Sequence, residues 1–109
     1  MTVNFQALEL ALDAIRHLVA PLAEITRRDP DLAQQIRRAA ASMALNLGEG
    51  RRRQGRDRLH LWRVAAGSAD EVVTALRVAE SFQLVPRTVV APVLERCDRV
   101  LAITYTLTR

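Results

Sequence analysis

The sequence has no lysine, a single cysteine and only 4% aromatic residues across 109 positions. Each scarcity excludes something. With Cys97 alone, no intrachain disulfide can form, and nothing in the sequence suggests a zinc site. Four glycines and four prolines are too few for a turn-rich β fold. No stretch approaches the eighteen or so apolar residues of a membrane span. Glu9 and Asp13 interrupt the first apolar pattern, and no basic segment leads into an apolar run. The expected setting is a reducing cytoplasm with no membrane contact, and 109 residues read as one domain.

What is present is aliphatic and basic. Hydrophobic residues make up 50% of the chain, mostly Ala, Val, Leu and Ile, a composition suited to packed helices. All 16 basic residues are arginine, and the net charge is +4. Six of them crowd into thirteen positions: Arg51, Arg52, Arg53, Arg56, Arg58 and Arg63. From Ile36 to Arg63 eight arginines face only Glu49 and Asp57, a balance of +6, while the rest of the chain carries −2. Arginine pairs a permanent charge with a planar fork of donors that matches phosphate. The cluster therefore points to a polyanionic partner, although a solvated charge run would look the same.

The spacing of apolar residues predicts four helices over about 4–27, 30–49, 56–82 and 87–107. In the first, Phe5, Leu8, Leu12, Ile15, Val19 and Leu22 form one stripe at steps of three and four. Pro21 inside it predicts a kink near His17 to Pro21. Asp29 is the expected N-cap of the second helix, with Pro30 at its first position. Leu32, Ile36, Ala39, Met43 and Leu47 form its stripe, and Gly50 is the expected residue just past its end. Trp62, Ala65, Ala69, Val72, Leu76 and Ala79 face inward on the third helix. Val90, Val93, Cys97, Val100, Thr104 and Leu107 do so on the fourth. The fold class is all-α, an antiparallel up-down-up-down four-helix bundle. The third helix carries further aliphatics outside its stripe, among them Leu59, Leu61, Val64, Val73 and Val78. A helix apolar over most of its circumference calls for cover on more than one side, which predicts self-association.

Catalytic and metal motifs are weak. A carboxylate di-metal bundle needs Glu-x-x-His on two helices. The nearest matches, Asp57 before His60 and Asp13 before His17, read as surface pairs. Ser42, Ser68 and Ser81 have no recognisable base or oxyanion turn around them. Gly48-Glu49-Gly50 lacks the rest of a phosphate-loop pattern. No enzyme activity, cofactor or metal is expected. Ser42, Asn46 and Glu49, at steps of four and three, share one side of the second helix beside its apolar stripe. Buried there, they would need partners, for which Ser68 and the arginines are candidates. Gly67 in mid-helix would permit a close approach by a neighbouring helix.

These residues carry a family resemblance. Gln35-Ile36-Arg37-Arg38-Ala39-Ala40, then Ser42 to Gly50 with its Asn46-Leu47-Gly48-Glu49-Gly50 element, then Arg52-Arg53, then Ala66-Gly67-Ser68-Ala69-Asp70-Glu71, resemble proteins encoded by 23S ribosomal RNA intervening sequences, also called the S23 ribosomal protein family. Ala44 stands where many members have proline, and Gly48 where alanine is usual, which bears on local helix geometry. The resemblance implies a four-helix bundle that assembles as a homopentamer around a central channel. A related protein, the accessory variability determinant of diversity-generating retroelements, implies a basic pentamer that binds nucleic acid and a reverse transcriptase. By position, Arg37, Arg38, Arg51, Arg52 and Arg53 would belong to the basic surface, and Asn46, Glu49, Gly50 and Gly67 would be structural.

The resulting expectation is a non-enzymatic homo-oligomer that binds RNA or DNA through Arg37, Arg38, Arg51, Arg52, Arg53, Arg56, Arg58 and Arg63. Ser42, Asn46, Glu49, Gly50, Gly67 and Ser68 form a structural motif. The alternative is a protein-interaction scaffold whose partner is a reverse transcriptase or an acidic protein. Trp62, Tyr105, Phe5 and Phe82 are the only aromatics, and three of them lie on or near core stripes, which predicts little base stacking and weak sequence preference.

Overall fold

The computed structural model describes residues 3–109, with side chains from residue 6 onward. Phe5, expected at the head of the first stripe, has its side chain outside that range. Four helices follow one another: α1 (Val3–Arg28), α2 (Pro30–Gly50), α3 (Gly55–Ser81) and α4 (Arg87–Thr108). No strand interrupts them among the described residues. α1 packs on α2 and α4, and α3 packs on the same two helices.

Cross-helix bonds give the direction of each pair. Gln35 meets Glu71, Ser42 meets Ser68, and Leu47 meets Trp62, so α2 and α3 run antiparallel. Asp13 meets Arg96 while Arg28, at the end of α1, reaches the turn before α4. Arg63 near the start of α3 meets Thr108 at the end of α4. The result is an up-down-up-down bundle 42 Å long and about half that across.

Local signals account for the helix ends. The Asp29 carboxylate accepts from the Leu32 N–H at 3.1 Å, and Pro30 opens α2. This satisfies one of the donors a helix start leaves free. α3 ends with Gln83 in the left-handed region at φ 62°. The Leu84 N–H bonds the Ala79 carbonyl and the Gln83 N–H bonds that of Glu80, the double bond of a Schellman stop. Arg28 then clamps this turn, donating to the carbonyls of Gln83 and Leu84 at 3.1 Å each. α1 continues through the buried Pro21 without a break.

The core faces of α2, α3 and α4 match the spacing in the sequence, but that of α1 does not. Ala7, Ala11, Ala14, Leu18 and Ile25 are buried, whereas Leu8, Leu12, Ile15 and Leu22 flank the core and Val19 is 65% exposed. The true inner face is rotated by one residue, about 100°. Small side chains let α1 sit close to its neighbours, and the large aliphatics beside them close the seams. Alanine recurs at the other contacts too: Ala33, Ala39 and Ala40 on α2, and Ala65, Ala69, Ala75 and Ala79 on α3. Cys97 is fully buried in this core, and burial, with Asp98 nearby, pushes its thiol up to about 12. It packs as a small apolar side chain.

Candidate nucleic-acid interface

The connection between α2 and α3 carries the arginine cluster and closes one end of the bundle. Its geometry starts at Gly50, which is the last residue of α2 and not the left-handed residue beyond it. The cap is Arg51, in right-handed helical conformation with φ −67°. Gly50 is needed for a different reason. A Cβ there would lie 2.6 Å from two indole ring atoms of Trp62. The indole occupies the space a side chain would fill, and its Nε1 donates to the Leu47 carbonyl at 3.3 Å. Gly55, at φ 58°, then turns the chain into α3.

Trp62 is in turn covered by Arg58, whose guanidinium lies 5.2 Å from the ring centroid. The same guanidinium donates to the carbonyls of Gly50 at 3.2 Å and Arg51 at 3.0 Å. Arg58 thus caps the negative end of α2, where a cation is favoured. Arg63 does the equivalent for α4, donating to the Thr108 carbonyl. Arg53 pairs with Glu49 one turn back, through contacts of 3.1 and 2.8 Å. Arg51 is half-buried at the cap. Arg52 and Arg56 are exposed, and their side chains make no hydrogen bond or ion pair among the described residues.

The eight arginines expected at the interface are therefore not equivalent. Arg51, Arg52, Arg53, Arg56, Arg58 and Arg63 come together at one end. Arg37 and Arg38 do not: thirteen residues of helix separate Arg38 from Arg51, about 20 Å of rise. Arg37 borders a groove between α1 and α2, and Arg38 shares a shallow hollow with Asp31 and Glu71. Sequence reasoning missed Arg109, whose guanidinium stands 5.8 Å from the ring centroid of Tyr105 on the last turn of α4. Tyr105 is 67% exposed and Phe82 69%, so of the aromatics whose side chains are described only Trp62 is a core residue.

The expected structural motif divides as well. The Ser68 hydroxyl donates to that of Ser42 at 2.8 Å across the α2–α3 seam. The Asn46 amide donates to the Ser42 carbonyl at 2.8 Å and hydroxyl at 3.1 Å. These three form one half-buried polar cluster. Glu49 lies apart from it, exposed with Arg53. Gly67 is exposed, and a Cβ there would meet nothing within 4 Å. The close helix approach expected at Gly67 is absent among the described residues, and the close approach in this region is at Gly50. Gly48 and Ala44 are absorbed into a continuous α2.

Asp13 anchors the other notable charge cluster, on the α1–α4 side. It accepts from Arg96 Nε at 2.6 Å, with Arg16 and His17 within 3.8 Å. The bond from Arg96 holds its carboxyl below the usual range. Among the described residues, no group of three or more His, Cys, Asp or Glu side chains is arranged to hold a metal, and no helix is long and apolar enough to cross a membrane.

No curated protein matches the sequence. A solved structure from Bacteroides thetaiotaomicron, a protein of unknown function from the S23 ribosomal protein family, aligns over 99% of both chains with a TM-score of 0.79 at 17% identity. That likeness supports the fold. The family model for the 23S rRNA-intervening sequence protein matches residues 2–106, and the chain therefore belongs to that family.

Proposed function

We propose that this protein is a non-enzymatic homo-oligomeric adaptor that binds nucleic acid through the arginine-rich end of the bundle. The observation that carries the reading is the division of labour among the arginines. Arg58 and Arg63 hold helix ends together, and Arg53 is paired, while Arg52 and Arg56 extend into solvent with no partner among the described residues. Exposed guanidinium groups on a rigid turn suit phosphate contacts, which supply affinity without reading sequence.

Self-association is supported by two different apolar surfaces. One is a groove of about 410 Å³ between α1 and α2, lined by Ile15, Leu18, Val19, Leu22 and Ala40. The other lies on α3 and includes Val73, Val78 and Phe82. Unlike patches on one protomer fit a head-to-tail contact, which forms a ring when the rotation between copies closes. A ring would repeat the basic turn around its axis and raise avidity. Five copies, as the resemblance implies, would scatter light at five times 12.2 kDa.

The test is fluorescence anisotropy with labelled RNA and DNA over a salt series. Binding should weaken steeply with salt, and replacing Arg52 and Arg56 together by Gln should reduce the log–log salt slope by about 1 to 2. No binding at low salt refutes the reading. A protein partner retained after nuclease treatment, with no nucleic-acid binding, would make the chain a protein scaffold instead.

A further inference from the structure

We infer that Tyr105, which faces Arg109 on the last turn of α4, is a stacking platform that makes the interface prefer single-stranded over duplex nucleic acid. The inference rests on the nucleic-acid reading above and adds a residue and a ligand form to it. The starting observation is the placement of an exposed aromatic. Tyr105 is 67% exposed although it stands only one residue beyond the fully buried Thr104. Its phenol makes no hydrogen bond among the described residues, and its ring faces the guanidinium of Arg109 at 5.8 Å.

The second observation is its location. Arg63 donates to the carbonyl of Thr108, three residues after Tyr105, so the last turn of α4 is tied to the start of α3. Arg56 and Arg63, seven residues apart, share one exposed side of α3. On α4, Arg96 faces α1 through Asp13. Tyr105 lies on the opposite flank, half a turn of helix away, toward α3. The ring therefore lies on the α3 side of the last turn of α4, one turn from the carbonyl that Arg63 holds, with Arg56 about two turns farther toward the basic turn.

This combination has a defined chemistry. Arginines engage phosphates, and an exposed ring offers a π-face to a base that has left its stack. A duplex keeps its bases paired and stacked, so it can use the arginines but not the ring. A single strand can use both. The selectivity would be for strandedness, because every base has a face to stack.

The experiment compares wild type, Tyr105→Ala and Tyr105→Phe on labelled oligo(U), oligo(dT) and a duplex with the same number of phosphates. Tyr105→Ala should weaken single-strand binding about tenfold, leave duplex binding within about twofold, and keep the salt slope unchanged because no charge is removed. Tyr105→Phe should retain binding. Equal losses on single strand and duplex, or no loss on either, overturn the inference. So does a change in the mass of Tyr105→Ala by light scattering, which would mark the ring as an assembly contact. If wild type binds none of the probes, the nucleic-acid reading fails and this one falls with it. If wild type binds and Tyr105→Ala binds equally well, only the stacking role fails.

Discussion

Two glycines two residues apart in α2 should respond to alanine with opposite signs. At Gly48 a Cβ would meet nothing within 4 Å, so the substitution removes only the entropic cost of glycine in a helix. That should stabilise by about 0.5–1 kcal/mol. At Gly50 the same gain is set against a Cβ placed 2.6 Å from Cδ1 and Nε1 of Trp62. The indole cannot swing away at low cost. It is 5% exposed, bonded to the Leu47 carbonyl and covered by Arg58. Overpacking costs about 1–3 kcal/mol, and loss of the buried N–H bond about 1–3 more if the ring is displaced. The expected net effect of Gly50→Ala is a loss of about 2 kcal/mol. For a chain of this size that lowers the melting temperature by about 8 °C, while Gly48→Ala raises it by about 2–4 °C. Urea unfolding followed by far-ultraviolet circular dichroism measures both, at one protein concentration so that any self-association weighs equally on each variant. Trp62, the only tryptophan, should also change its emission in Gly50→Ala. Stability of Gly50→Ala within 0.5 kcal/mol of wild type, or equal losses at both positions, would refute this account of the turn.

Three further outcomes are expected. Arg58→Ala should destabilise by about 1–3 kcal/mol in thermal melts because it uncaps α2 and uncovers Trp62, and Arg58→Lys should not restore it, since an ammonium cannot reproduce the fork across two carbonyls. Arg52→Ala, by contrast, should leave the melt within about 0.5 kcal/mol. Gln83→Gly should stabilise by up to about 1 kcal/mol, because the left-handed conformation at φ 62° is strained for glutamine, while the carbonyl that Arg28 holds is kept; a lower melting temperature would count against it. Asp13 has its carboxyl held low by Arg96, so its stabilising contribution is present above the ordinary carboxylate range and fades as pH falls below about 4. Asp13→Asn should flatten the fall of melting temperature with acid in that window, and superimposable pH curves for the two proteins would exclude the role.

The half-buried Ser42, Asn46 and Ser68 cluster could be foreseen from spacing, because polar residues at steps of four beside an apolar stripe need partners on the facing helix. The role of Gly50 could not. A glycine after a helical run reads as a left-handed stop, and only the approach of Trp62 from another helix reveals a packing requirement. Arg58 was likewise indistinguishable from Arg56 in a list of arginines. Which of them turns inward depends on where the α2 carbonyls lie once α3 has folded back.

The sequence by itself determined four helices, their order and most of their ends, because periodicity, caps and breakers act within a few residues. It also determined that the charge gathers between the second and third helices. Tertiary structure alone decided the inner face of α1. There alanines and leucines make two apolar stripes about 100° apart, and the alanines face inward while the leucines line the seams. It alone divided the arginines into those that hold helix ends and those left to solvent, and it tied the last turn of α4, where Tyr105 and Arg109 face each other, to α3 through Arg63. Such pairings depend on contacts between residues distant in sequence, and no local pattern encodes them.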